Sequence, residues 1–209
     1  MHSQLKPASV AGTKLDKYFH TCAFFNSREE EYRVISPFIT EGLDAGEKAI
    51  YIVDPLIQHE HARRLAEAGV PCSTHSKDLD IVTWADTYLL NGKFDMEFML
   101  STVKSVIRSG REQGYPRSRI VGQMGWALQP FPGVEQLIEY EVKVNDVLAR
   151  ERQPAICVYD INKLSGSMMT DLLRTHPLTI IGGTLYENPF YRPADEMLSD
   201  LRSRPRAQA

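Results

Sequence analysis

Short apolar runs alternate with stretches of helical periodicity along most of the chain. Six runs have the length and composition of buried strands and cover residues 20–25, 49–53, 79–84, 120–121, 155–159 and 178–181. Between and after them, apolar residues recur every three or four positions, which predicts helices over about 27–46, 57–68, 95–109, 134–150, 167–174 and 194–202. Such alternation is typical of right-handed crossover units. The pattern therefore predicts a three-layer α/β sandwich with a mainly parallel sheet of about six strands.

The first long helix carries local signals. Ser27 with Glu30 three residues later fits a capping box, which predicts that the helix starts there. Pro37 lies inside the helical pattern, so we expect a kink or a late start of the helix. Gly46 fits the end of this helix.

Composition narrows the class of protein. The chain has 209 residues, a formal net charge of −3 and 43% hydrophobic residues, as ordinary globular proteins do. We expect one domain over residues 18–203, a flexible leader over 1–17 and a loose tail over 204–209. The three cysteines make no disulfide framework, and the sequence has neither an apolar run of membrane-spanning length nor a signal peptide. We therefore predict a cytoplasmic protein that does not bind membranes. The near-neutral charge also argues against direct binding of nucleic acid.

Polar and aromatic side chains follow the predicted strands, where ligands of open parallel sheets bind. They are Asn26, Asp54, Trp84, Gln123, Trp126, Tyr159 and Asp160. Apolar walls with a few polar groups are what a small-molecule pocket needs. The alternative interpretation is that strand ends are simply polar and that these aromatic rings cap the core.

Motifs of common enzymes are missing from the sequence. No strand leads into the G-x-x-x-x-G-K-[ST] phosphate loop, into G-x-G-x-x-G or into a G-x-S-x-G elbow. Ser165 and Ser167 precede a helix, and we interpret them as capping or turn residues rather than as nucleophiles. Cys72 and His75 make half of a structural zinc site with no second half nearby. We therefore predict no catalytic residue and no metal site, and no cofactor is indicated.

Four residues in apolar surroundings keep two interpretations each. Cys22 and Cys157 lie within apolar strands, where a cysteine behaves as a small hydrophobe. The alternative, a redox or electrophile sensor, would need a lowered pKa and access to solvent. His20 and His176 fit core or turn histidines that bond to the backbone, or else polar groups of a pocket.

Glu141 lies on the apolar stripe of its predicted helix, where a solvated carboxylate is unexpected. A buried carboxylate needs a partner, and Asn145 lies one turn further on. Glu141 therefore either anchors the helix to a neighbouring loop, which we favour, or faces a ligand or a subunit.

Several segments, taken in order, resemble one known family. They are H-T-C-A-F-F-N-S-R-E-E-E, P-F-I-T-E-G-L-D-A-G-E-K-A-I-Y-I, G-Q-M-G-W-A-L, I-C-V-Y-D, L-L-R-T-H-P and I-I-G-G-T-L-Y-E-N-P-F-Y, spread from about His20 to Pro193. The chain is thereby similar to the MEDS domains, the methanogen/methylotroph, DcmR-type sensory domains. The resemblance implies a fold related to RecA/KaiC-type domains without their phosphate loop. It also implies a sensory role toward small hydrocarbon-derived compounds in bacterial or archaeal signalling.

The resemblance further implies which positions carry the family's motifs. They fall here on His20, Cys22, Trp126, Tyr140, Glu141, Asn145, Tyr159, Asp160, His176, Pro177, Tyr186, Glu187 and Asn188. Where Gln123 stands, the family commonly has an acidic residue, and a neutral amide disfavours hydrolytic chemistry. Relatives often carry a helix-turn-helix regulator or a histidine kinase, for which this sequence leaves no room. We therefore expect a free-standing sensor module or a piece of a longer protein.

Taken together, these patterns predict a non-enzymatic sensory domain that binds a small organic ligand and signals through partner or self contacts. The expected ligand-binding residues are His20, Cys22, Asn26, Asp54, Trp84, Gln123, Trp126, Tyr159, Asp160, His176, Tyr186, Glu187 and Asn188. A separate histidine kinase or transcription regulator is the expected partner, and a homodimer is also compatible. One alternative is a RecA-like enzyme for a small or nucleotide-like substrate, with Asp160 or Glu187 as acid or base. The other is an interaction or dimerisation module of a kinase or transcription pathway.

Overall fold

The structure is a computed structural model, and it describes residues 7–71 and 77–204. Within these ranges the strands are β1 (Ser9–Val10), β2 (Thr13–Lys14), β3 (His20–Phe25), β4 (Lys48–Val53), β5 (Leu79–Thr83), β6 (Ser118–Gln123), β7 (Ala155–Asp160), β8 (Leu178–Ile181) and β9 (Thr184–Glu187). The α-helices are α1 (Arg28–Asp44), α2 (Gln58–Glu67), α3 (Met96–Glu112), α4 (Leu137–Glu151), α5 (Gly166–Thr175) and α6 (Ala194–Ser203).

The main sheet of the described residues has seven strands in the order β5-β4-β6-β7-β3-β8-β9. All neighbours run parallel except β8 and β9, which are antiparallel. The predicted α/β fold with a mainly parallel sheet is confirmed, and β9 is an additional edge strand. Gly182 and Gly183, with φ of +59° and +76°, make the tight turn that folds β9 back onto β8, because glycine adopts positive φ without steric cost.

Helices cover both faces of the sheet, as the pattern predicts. One apolar cluster joins the sheet to α1 and α2, and it includes Ile35, Phe38 and Leu65. The other joins the opposite face to α3, α4 and α5, and it includes Val103 and Leu172. The two clusters are the two interfaces of a three-layer sandwich.

Of the two predictions for α1, the structure confirms the capping residue but not the late start expected from Pro37. The Ser27 hydroxyl accepts a hydrogen bond from the Glu30 backbone N–H, which confirms the predicted helix start. The Glu30 carboxylate accepts from Asn26 rather than from Ser27. The expected late start is wrong, since α1 begins at Arg28 and runs through Pro37 to Asp44.

The described part of the expected leader, residues 7–17, contains folded structure, and Arg204 at the other described end has a partner. Residues 9–14 form the β1–β2 hairpin, and Ala8, Val10 and Leu15 are buried against the α1 face of the sheet. At the other end, Arg204 makes a bidentate contact of 2.6 and 2.7 Å with Asp171. Residues 8–15 and Arg204 therefore have partners that composition does not reveal.

A buried ion pair joins β6 to the short segment between α1 and β4. Arg119, which is 1% exposed, donates to the Glu47 carboxylate at 2.6 Å and to the Phe38 carbonyl at 2.7 Å. Arg117 also approaches Glu47, at 3.4 Å. A Cβ at Gly42 would lie 2.5 Å from the Arg119 Nε, so the glycine makes room for the guanidinium.

Candidate functional site

A cleft lies beyond the carboxyl ends of the strands, where the sequence predicts a pocket. Asp54, Trp84, Gln123, Tyr159 and Asp160 all line it, and its volume is about 150 Å³. Their convergence follows from the parallel topology, because β4, β5, β6 and β7 all end at this edge.

Gln123 organises the floor of this strand-end cleft. Its amide nitrogen donates to the Glu31 carboxylate at 2.7 Å, and its amide oxygen accepts from the Asp54 backbone N–H at 3.2 Å. The Tyr51 hydroxyl donates to the same Glu31 oxygen at 2.6 Å. Burial raises the pKa of Glu31 above its usual value, although these two donors oppose the shift. Arg28 also lines the cleft, so its walls carry both signs of charge.

Other predicted site residues lie outside the strand-end cleft. Trp126 is fully buried, and its ring stacks on Tyr88 at 4.9 Å. Asn26 is used in capping α1, and Asn188 donates to the Leu173 and His176 carbonyls. Three more are placed elsewhere: Cys22 contacts Thr179 in the sheet, Tyr186 is half exposed on β9, and Glu187 lines a depression beside Lys14. Asp160 and Glu187, the acid–base candidates, therefore do not share a cleft.

A second space lies between the sheet and the covering helices α3 and α4. This apolar cavity has a volume of about 180 Å³. Its walls are mostly aliphatic and come from β4, β5, β6, α3 and α4, and they include Ile50, Ile52, Val82, Met99, Val103, Val106, Ile120, Val144 and Leu148. His20 and Cys157, which lie side by side, form one polar end of the cavity, and Asp80, Thr87 and Thr102 are further polar residues of its lining.

That polar end is part of a buried cluster of four side chains. His20 begins β3, Cys157 lies in β7, Glu141 comes from α4 and His176 immediately follows α5. The His20 Nε2 lies 3.4 Å from the Cys157 Sγ and 3.4 Å from a Glu141 oxygen, and the His176 Nε2 lies 3.4 Å from the same oxygen. At most 6% of any of the four residues is exposed.

Electrostatics sets the protonation of this buried cluster. Burial, with a smaller effect of His176, lowers the pKa of His20 to about 3, so the imidazole is neutral at pH 7. Burial would raise the pKa of Glu141, but His176 and His20 outweigh it and hold the pKa below its usual value. Burial raises the pKa of Cys157 well above its usual value, and that of Cys22 to about 12. Neither thiol has the lowered pKa and the access that a redox sensor needs.

A family model describes these elements as one unit. The model of the methanogen/methylotroph, DcmR sensory domain matches residues 19–177, which covers β3 through α5 and includes every member of the buried cluster. The chain belongs to the MEDS family of sensory domains.

This MEDS domain is also similar to a transcriptional repressor, DcmR of Methylorubrum extorquens. The two are 26% identical over 169 residues, which cover 80% of this chain. The match spans 61% of the length of the repressor. The relationship supports a regulatory context for the MEDS domain.

Two solved structures share the fold. A KaiC-like protein of Pyrococcus horikoshii matches with a TM-score of 0.57 and 14% identity, over 81% of this chain and 73% of that one. The flagellar accessory protein FlaH of Methanocaldococcus jannaschii matches with a TM-score of 0.52 and 14% identity, over 84% of this chain and 78% of that one. The predicted relation to RecA/KaiC-type folds is thereby confirmed.

The helix that follows the first long strand of this MEDS domain is poorly suited to phosphate. Helix N-termini bind anions through free N–H groups and the helix dipole. Here Ser27 occupies one such N–H, and Glu29, Glu30 and Glu31 fill the first turn of α1. Carboxylates at that position repel a phosphate, in keeping with the missing phosphate loop.

Sequence reasoning missed the buried cluster of the MEDS domain as a unit. His20 and His176 were expected among ligand-binding residues, whereas Cys157 and Glu141 were not. The available signal was the carboxylate of Glu141 on an apolar stripe. Its contacts in the structure include the Tyr159 hydroxyl, which donates to it at 3.1 Å. Cys72 and His75, the half zinc site, lie outside the described residues.

Within residues 7–71 and 77–204, no helix is long and apolar enough to cross a membrane.

Proposed function

We propose that this sensory domain detects a small, mostly apolar organic molecule that binds in the cavity between the sheet, α3 and α4. The observation that carries the proposal is the cavity itself, with aliphatic walls and a polar end at His20 and Cys157. Apolar cavities of about 150 Å³ bind molecules the size of benzene or xenon. The cavity of about 180 Å³ therefore suits a ligand of a few heavy atoms.

The size of the ligand limits its affinity. The best small ligands gain at most about 1.5 kcal/mol per heavy atom, so a five-atom ligand reaches about 7.5 kcal/mol, which corresponds to a low micromolar Kd. At a ligand concentration of about 100 times Kd, the folded state gains about 2.7 kcal/mol. Such a gain is measurable as a rise in Tm.

The test uses benzene and a series of short-chain alcohols and ketones as probes. Thermal unfolding and ligand-observed NMR report binding to the wild type and to Val103→Phe, which fills the cavity from α3. Leu100→Phe is the matched control, because Leu100 is a buried residue of the same helix that does not line the cavity. We expect binding to the wild type and the control, and its loss in Val103→Phe. Binding that is equal in all three proteins, or absent from all, would contradict the proposal.

Signalling requires that the ligand favour one of two conformations. The cavity is closed on one side by α3 and α4, so a ligand that fills it changes how these helices rest on the sheet. We propose that a separate regulatory protein, a histidine kinase or a transcription regulator, reads this change in the cytoplasm. The similarity to a transcriptional repressor supports that setting. Self-association is tested by sedimentation at two protein concentrations with and without ligand.

The strand-end cleft is a second candidate ligand site. The observation in its favour is that Asp54, Trp84, Gln123, Tyr159 and Asp160 do converge around it. Its mixed charges suit a small polar molecule rather than an apolar one. Trp84→Phe together with Asp54→Asn would abolish binding there and leave binding in the apolar cavity intact, so the two sites are separable with one panel of compounds.

A further inference from the structure

The buried cluster has the composition of a metal-ligand set. The donor atoms of His20, Glu141, Cys157 and His176 all lie within 4.8 Å of one another. We propose that these four side chains bind one divalent transition-metal ion of the zinc type. Imidazole nitrogen, thiolate sulfur and carboxylate oxygen are the ligands that zinc uses in proteins, and four of them complete a tetrahedral shell.

The distances between donor atoms agree with a tetrahedral shell. Zinc–ligand bonds of about 2.0–2.3 Å at tetrahedral angles place neighbouring donors about 3.3–3.6 Å apart. Three separations are 3.4 Å, those of His20 to Cys157, of His20 to Glu141 and of His176 to Glu141. The Cys157 Sγ lies 3.8 Å from the same Glu141 oxygen. Four of the six separations thus lie within a few tenths of an ångström of the tetrahedral values, and all six are within 4.8 Å.

Both histidines are held with a ligating nitrogen toward the centre. The His176 Nδ1 lies 2.8 Å from the Leu172 carbonyl, which only accepts, so Nδ1 carries the proton. The His20 Nδ1 lies 3.0 Å from the Asn145 amide oxygen, and the amide nitrogen of Asn145 donates to two backbone carbonyls. Metal-binding histidines usually donate the N–H of one ring nitrogen to a hydrogen-bond acceptor, which leaves the other nitrogen free to bind the metal.

The unpartnered nitrogen of His176 gives independent support. Among the described residues, its buried Nε2 has no hydrogen-bond partner, although it faces the Glu141 carboxylate. In the neutral form of both imidazoles, with the proton on Nδ1, two imidazole nitrogens and one carboxylate oxygen point into one space as acceptors, and only the Cys157 thiol brings a proton. One thiol proton cannot satisfy three acceptors, whereas a cation satisfies them all.

The charge of the set also suits a divalent ion. A carboxylate, a thiolate and two neutral imidazoles sum to −2, which an ion of charge +2 neutralises in the core. Binding displaces the thiol proton, as it does at other cysteine sites. The second Glu141 oxygen accepts from the Tyr159 hydroxyl, which fixes the carboxylate. Metal binding here does not require that the apolar cavity hold an organic molecule. His20 and Cys157 line the cavity as well as the proposed metal site, so the two sites adjoin each other.

The experiment measures metal content. Full-length protein from zinc-supplemented cells is passed over a chelating resin and analysed by mass spectrometry of the elements, before and after reconstitution with Zn²⁺. We expect about one ion per chain in the wild type, and a loss of at least about fivefold in Cys157→Ser and in His176→Gln. Cys22→Ser and His61→Gln are matched controls. Cys22 is the direct register partner of Cys157 and His61 is an equally buried histidine, and neither belongs to the cluster. Both controls should keep the ion.

A measurement on the wild type keeps the test valid if the cluster variants do not fold. Protein reconstituted with Co²⁺ should show thiolate-to-cobalt charge-transfer absorption and the visible bands of four-coordinate cobalt. X-ray absorption of the zinc form should show one sulfur at about 2.3 Å and lighter ligands at about 2.0–2.1 Å. Substoichiometric metal after reconstitution, cobalt spectra without the thiolate band, or equal metal loss in Cys22→Ser would each overturn the proposal.

Discussion

Arg119 and Glu47 form an ion pair in the interior of this fold, where each charge depends on the other for compensation. Both side chains are at most 3% exposed, and the guanidinium also donates to the Phe38 carbonyl and lies over the Phe38 ring. Arg119→Met keeps the aliphatic stem but removes the charge, and leaves Glu47 buried with Arg117 as its remaining cationic neighbour. We therefore expect the change to destabilise the protein severely.

The magnitude follows from the cost of an uncompensated buried charge. Removing one partner of a buried pair typically costs about 3–5 kcal/mol. Because Arg117 stays 3.4 Å from Glu47, we place Arg119→Met at the lower end, about 3 kcal/mol. Replacing both partners, as in Arg119→Met with Glu47→Gln, removes the stranded charge. The double variant should therefore be more stable than the sum of the single changes predicts, by about 2 kcal/mol.

The assay is urea denaturation followed by circular dichroism, with the slope m compared among the four proteins to check that unfolding remains two-state. Gly42→Ala offers an independent probe of the same contact, because its Cβ would displace the Arg119 side chain. A loss under about 1 kcal/mol in Arg119→Met, or strict additivity in the double variant, would refute the reasoning.

Two further predictions concern titratable groups away from the buried cluster. Burial, with a smaller effect of Arg28, lowers the pKa of His61 to about 3. The stability that the neutral His61 contributes is complete above the unfolded pKa of about 6.5 and is lost as the pH falls. By pH 5 the loss amounts to about 2 kcal/mol. His61→Gln should flatten the acid side of the stability profile by that amount in denaturation series from pH 7 to 5, and parallel profiles would contradict the assignment. Gln123→Glu would place a second carboxylate 2.7 Å from Glu31, whose pKa burial already raises. The paired carboxylates raise each other's pKa, so we expect a loss of about 2–4 kcal/mol at pH 7 that shrinks as the pH falls. Gln123→Leu, measured alongside, should show no such recovery.

Strands such as β3, β4 and β7 are predictable because each contains a continuous apolar run that both faces of the sheet bury. The edge strand β9 is not, since only Leu185 of Thr184–Glu187 is buried and the rest of the strand is polar. The β1–β2 hairpin cannot be predicted from the sequence for a related reason, because its strands have only two residues each. Periodicity detects burial, and short or half-exposed strands bury too little.

The strand-end cleft is predictable from topology alone, because parallel strands end at one edge whatever their register. The apolar cavity is not, because its walls are ordinary core positions such as Ile52 and Val103. Nothing in the sequence pattern distinguishes a residue that lines a cavity from one that packs in a filled core. The buried cluster depends on register and on helix rotation together. His20 meets Cys157 across neighbouring strands, and Glu141 reaches them from α4.

The position of β3 inside the sheet has a consequence for the order of folding. β3 is the earliest strand of the main sheet along the chain, yet its ladders form only with β7 and β8, which lie far downstream. His20 and Cys157, for example, are 137 residues apart. During synthesis, both edges of β3 therefore stay unpaired until β7 and β8 have been made, and such long-range closure is slow. Among the described strands of the main sheet, β3 is an inner strand that is synthesised first and paired late, so its edges remain available for incorrect pairing in the nascent chain.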